Sequence, residues 1–122
     1  GIDIFTAGAS YVVLSTKTIM DINELDYALE LSDNIIFCID YKEGIVAYDK
    51  KIRSLKPQEL ARNAKEKGIE KIILFFYNKI EKSIIEDVAK AGCELYIYGR
   101  AEEVKRFENM VNGIIVSAEE FM

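Results

Sequence analysis

Histidine is absent from the 122-residue chain. That one absence removes the commonest general base, the commonest metal ligand and every Ser-His or Cys-His nucleophile pair. Acid or base chemistry therefore falls to Asp, Glu, Lys, Tyr or Cys. Proline occurs once and glycine seven times, too few for a disordered or fibrous chain. The two cysteines, Cys38 and Cys93, are far apart and each sits in an apolar context. They read as core residues of a reducing compartment rather than as a disulfide or metal pair. No apolar run approaches the roughly 18 residues that span a bilayer, and no charged-then-apolar leader opens the chain. The expectation is a cytoplasmic protein without a membrane partner. A basic face is lacking too: the net charge is −5, so nucleic acid is not an expected partner.

What is present is an ordinary globular composition, half hydrophobic and 30% charged, at a length that suits one domain over residues 1–122. Five apolar runs punctuate it: "YVVLS" at 11–15, "NIIFCID" at 34–40, "KIILFFY" at 71–77, "ELYIY" at 94–98 and "GIIVS" at 113–117. Short, β-rich and nearly unbroken, they suit strands covered on both faces, the habit of parallel sheets. Helical periodicity fills the spaces between them. Over 22–31 the residues Ile22, Leu25, Ala28 and Leu29 share a face, with Asp21 and Glu24 spaced as a capping box. Over 57–67, Pro57 fits the first helical position and Gly68 the end. Ser83 and Glu86 resemble a second capping box before Gly92, and 101–111 places Val104, Phe107 and Val111 on one side.

Three strands are introduced alike, by "AGASYVVL", "KGIEKIIL" and "AGCELYIY". This is an internal βα repeat of roughly 20–24 residues. It is interrupted by "YKEGIVAYDKKIRSL", in which Glu43-Gly44 signals a turn and a small β-ribbon is expected near 41–52. Such repeats build a partial (β/α)8 barrel or an open, flavodoxin-like doubly wound sheet.

The order "AGASYVVLSTKTI", "NIIFCIDYKEG", "KPQELARNAKEKGIEKIILFF" and "AGCELYIYGRAEEV" resembles the C-terminal part of the histidine-biosynthesis barrels, the phosphoribosyl-aldose isomerase and the cyclase that forms imidazole glycerol phosphate. The resemblance implies strands four to eight of a (β/α)8 barrel, a half-barrel of about five strands. It implies isomerase or lyase chemistry on a phosphorylated sugar derivative, with Asp40 as the catalytic acid or base and no cofactor. Phosphate would be held near Ser15, Thr16, Gly99, Arg100 and Ser117.

Other readings of these residues stay open. Asp40 ends an apolar strand, where a carboxylate also serves to accept hydrogen bonds from the adjoining turn. Arg100 suits a solvated helix start. Phe75, Phe76 and Tyr77 replace the small and acidic residues of the family's sixth strand, and pack as core or fill the substrate's space. The other functional class is therefore a non-catalytic half-barrel assembly module. Five strands cannot close a barrel, and a would-be barrel face carrying Val13, Ile36, Ile73, Phe75 and Ile97 would be apolar. A homo-oligomer or a complementary half-barrel chain is expected.

Overall fold

Strand β2 (Ile35–Tyr41) is buried at six of its seven positions, which requires cover on both faces and explains why its apolar run is unbroken. The computed structural model describes residues 11–116. Around β2 stand β1 (Val12–Ser15), β3 (Lys71–Phe76), β4 (Glu94–Tyr98) and β5 (Gly113–Ile115). Each matches an expected run closely. All four pairings are parallel, and the spatial order follows the chain order from β1 to β5. A doubly wound sheet reverses its order at a switch point. This sheet has no reversal, and the flavodoxin-like alternative is set aside on that ground.

The helices are α1 (Glu24–Leu31), α2 (Lys50–Arg53), α3 (Pro57–Glu66), α4 (Lys82–Ala89) and α5 (Ala101–Val104), the last continued by a 3-10 segment over Lys105–Met110. Pro57 takes the first helical position as expected. Past α3, Gly68 adopts φ 105°, its N–H donates to Lys65 O, and Ile69 N–H reaches back to Ala64 O at 2.9 Å. That pair of bonds is a Schellman stop, which requires a residue without a Cβ at the left-handed position.

Strand alternation divides β2 between two faces. Ile35, Phe37 and Ile39 join Ile72, Leu74 and Leu95 in a core that also holds Leu25 of α1, Ile52 of α2, Leu60 of α3, Ile85 of α4 and Val104 of α5. Every described helix thus buries its stripe against the same side of the sheet, and each fully buried Leu, Ile or Phe contributes roughly 1.5–3 kcal/mol there. On the opposite side Ile36, Cys38 and Ile73 form a second cluster, flanked by partly buried Val13, Phe75, Tyr96 and Tyr98. No described helix contributes to it.

Several expectations need correction. Ile97 belongs to the helix-side core, because Tyr96 and Tyr98, opposite Ile73 and Phe75, take the other face. Ile36 and Ile73 are buried rather than exposed. The ribbon near 41–52 is reduced to a single antiparallel bridge, Tyr41 to Ile45. Its turn is there, with Glu43 at φ 56° and Gly44 at φ 148°, and the returning arm bonds back to β2, Val46 N–H to Asp40 O at 2.8 Å, while Val46 O accepts from Thr16 Oγ1 at 2.8 Å at the end of β1. The chain then enters α2, whose N-terminus Asp49 caps by accepting from Lys51 N. The Ser83 box does not form, since the N-cap falls two residues earlier, at Glu81, which makes no side-chain cap bond. The last helix tightens after Val104; its apolar residues Val104, Phe107 and Met110 recur at every third position, the period of a 3-10 turn.

Candidate functional site

Parallel strands present their C-terminal ends together, and α/β proteins gather ligands there. At that end of β2, Asp40 is 3% exposed, too buried for its charge to be left without partners. It has them on both oxygens. Oδ2 accepts from Thr16 Oγ1 at 3.2 Å and from the Lys17 amide at 3.1 Å, both at the end of β1. Oδ1 accepts from Tyr77 Oη at 3.0 Å, just past β3. Thr16 Oγ1 in turn accepts from the Asp40 amide at 3.0 Å, and Val46 N–H donates to Asp40 O at 2.8 Å. One carboxylate and one hydroxyl therefore tie three strand ends and the insert after β2. Asp40 does receive local hydrogen bonds, but its carboxylate takes them from neighbouring strands while its backbone meets the insert.

Tyr77 is half-exposed and held in place by aromatic contacts. Its ring lies 4.8 Å from that of Phe75, which stacks on Tyr98 with centroids 4.2 Å apart and planes within 8°. Lys17 places its ammonium 5.6 Å from the Tyr77 ring centre, and the phenol beside it raises the Lys17 pKa. Burial pushes the Tyr77 phenol up, with the Asp40 carboxylate acting in the same direction and Lys17 opposing it. The phenol is therefore neutral at neutral pH. Cys38, one step behind Asp40 on the same face, has its thiol held far above the ordinary range by burial first and by Asp40 second. Such a thiol is a poor nucleophile.

Tyr77 also borders an open depression of about 220 Å³ at the ends of β3 and β4, together with Phe75, Asn78, Tyr98, Gly99 and Arg100. Gly99 is there for closeness: a Cβ on it would meet Val104 Cγ1 at 3.0 Å and Ile80 Cδ1 at 3.1 Å. Arg100 precedes α5 in an extended conformation.

The expected site residues thus form two groups. Thr16 and Asp40 are in contact, with Ser15 adjoining them and bonded to Thr18 Oγ1 at 3.0 Å. Gly99 and Arg100 follow β4, three strand spacings from β1 in the sheet order, about 14 Å at the usual spacing. Tyr77 stands between the groups and touches Asp40. Ser117 lies outside the described residues. Two members of the cluster, Lys17 and Tyr77 as a polar group, were not singled out from sequence. The available signal was parity: Asp40 pairs with Phe75, so Tyr77, two residues on, shares their face.

Among the described residues no group of three or more acidic or cysteine side chains is placed to hold a metal ion. No described helix is long and apolar enough to cross a membrane. No protein-family model matches the chain, and no curated protein matches it.

Proposed function

We propose that this chain is one half of a (β/α)8 barrel of the histidine-biosynthesis type, and that the completed barrel binds a phosphorylated sugar derivative over its C-terminal strand ends for isomerase- or lyase-type proton transfer. One observation carries the reading: five parallel strands run in unbroken order with every described helix on one face. That is the arrangement of consecutive barrel units, whose ligands sit over the strand ends. Asp40, at the end of β2, is the acid or base; Gly99 and Arg100, with Ser117, bind phosphate on one side of the mouth, and Ser15 and Thr16, about 14 Å away at the usual strand spacing, bind it on the other. The barrel would be completed by strands of a second copy or of a complementary half-barrel.

Titration with inorganic phosphate, followed by backbone amide shifts, tests the ligand assignment. Shifts are expected at Gly99 and Arg100 and at Thr16; shifts confined to the N-terminal strand ends would refute it.

A second reading is favoured by the stack of Phe75 on Tyr98, which occupies mouth volume, and by the saturation of both Asp40 oxygens. In it the chain is a non-catalytic half-barrel that assembles with a partner and turns nothing over. Phosphate shifts without any proton-transfer activity would favour it.

A further inference from the structure

We propose that Tyr77 is the catalytic residue that meets the ligand, and that Asp40 acts as acid or base only through it. The inference rests on the isomerase or lyase reading above and names the group that carries its proton. Asp40 is 3% exposed. Its Oδ2 is turned toward Thr16 and Lys17, and its Oδ1 is covered by the Tyr77 hydroxyl. A ligand over the strand ends therefore finds the phenol first. Tyr77 is 37% exposed and borders the depression that Asn78 and Arg100 also line. One side chain thus touches a buried carboxylate with its hydroxyl and also lines an open hollow.

The direction of the hydrogen bond decides the chemistry. Tyr77 Oη donates to Asp40 and accepts from the Lys17 ammonium, which leaves one lone pair to accept a proton from a ligand. For a carbon acid next to a carbonyl the relay balances as follows. The C–H bond of the ligand breaks and its electron pair forms the enolate. The released proton bonds to Tyr77 Oη as the Oη–H bond breaks, and the original phenol proton passes to Asp40 Oδ1. The reverse transfer returns a proton to the ligand from Asp40 through Tyr77. Lys17, with its ammonium beside the ring, stabilises any negative charge that develops on the phenol oxygen. The aromatic neighbours also gain a purpose here: Phe75, clasped between Tyr98 and Tyr77, fixes the phenol's orientation, as a general acid or base within reach of its proton requires.

Dihydroxyacetone phosphate serves as the probe, being a phosphorylated ketone with protons next to its carbonyl. The full chain is incubated with it in deuterium oxide, and deuterium wash-in at that carbon is followed by NMR alongside the protein amide shifts. Wash-in above the buffer rate is expected, falling roughly 100-fold in Tyr77→Phe, in the range lost with a general base, while the amide shifts persist. Lys17→Met is expected to lower the rate less. Amide shifts without wash-in, or wash-in unchanged by Tyr77→Phe, would overturn the relay and leave the ligand reading standing. Absence of both shifts and wash-in would overturn the two together. Persisting shifts in Tyr77→Phe report that the variant remains folded.

Discussion

Asp40 is where a buried charge and a set of strand ends depend on each other. Removing the carboxylate takes a shared acceptor from the Lys17 amide and from the hydroxyls of Thr16 and Tyr77, of which Thr16 keeps Val46 O. A hydrogen bond to a charged acceptor contributes more than a neutral one. Asp40→Ala is therefore expected to destabilise the chain by about 2–3 kcal/mol, against about 1 kcal/mol for Tyr77→Phe, which leaves the bonds of Asp40 to Thr16 and the Lys17 amide in place. Urea denaturation followed by far-UV circular dichroism measures both. Equal losses would mean that the β1 contacts contribute nothing. The sequence located Asp40 but could not supply its partners, because they come from residues 24 and 37 positions away. Contacts that distant follow from strand register, which no local pattern contains.

Among elements, the opposite end of the sheet shows register acting on charge. Lys71 and Glu94 open β3 and β4 and face each other in the pairing. They form an ion pair, and Glu94 Oε1 accepts from Tyr96 Oη at 2.8 Å. The Lys71 ammonium and then the Tyr96 hydroxyl hold the Glu94 carboxyl below its ordinary value, while Tyr96, buried and beside Glu94, is pushed up to about 12. Glu94 raises the Lys71 pKa in return. A depressed carboxylate adds stability above its unfolded pKa, and that stability disappears as pH falls through the folded one. A raised ammonium adds stability below the unfolded lysine value and loses it as pH climbs through the folded one. Glu94→Gln is accordingly expected to be less stable than the parent at neutral pH, with the gap closing as pH falls below the ordinary glutamate range and as it climbs past the ordinary lysine range. Thermal melts across that range check it; a constant gap would mean that charge plays no part. Strands and helices such as these were legible because period and caps are written locally. The ribbon was legible only as far as its turn: the arm after it pairs with β2 for one bridge and also meets Thr16, a tertiary bond that no local pattern contains.

At the scale of the molecule, one face of the sheet carries all the described helices and the other is aliphatic and aromatic. Closure of a barrel with filled interior layers takes eight strands. Among the described residues β1 and β5 each have a neighbour on one side only, and an edge strand offers unpaired N–H and C=O groups to another chain. The chain is expected to associate through this face and these edges. Light scattering over a concentration range is expected to show more than single-chain mass. Phe75→Lys, which puts a charge in the middle of the face, is expected to shift the equilibrium toward single chains. A species of single-chain mass persisting into the high micromolar range would count against association. Two strand edges were foreseeable from the count of strands; the position of Ile97 was not, since one residue of register decides which face it takes.

The unbroken order of the strands also bears on how the chain acquires its structure. Among the described residues each strand pairs with those just before and after it in the chain, so each crossover closes a loop of one repeat, the one after β2 lengthened by the insert. Loop-closure entropy is then spent in small, similar steps, and the energetics approach those of a linear array in which units couple to their nearest neighbours. Structure can start at the most buried pair, β2 with β3, and extend outward in both directions. Resistance to local opening should decline along the same line. Strand β5, three residues long and buried at none of them, is the first to open.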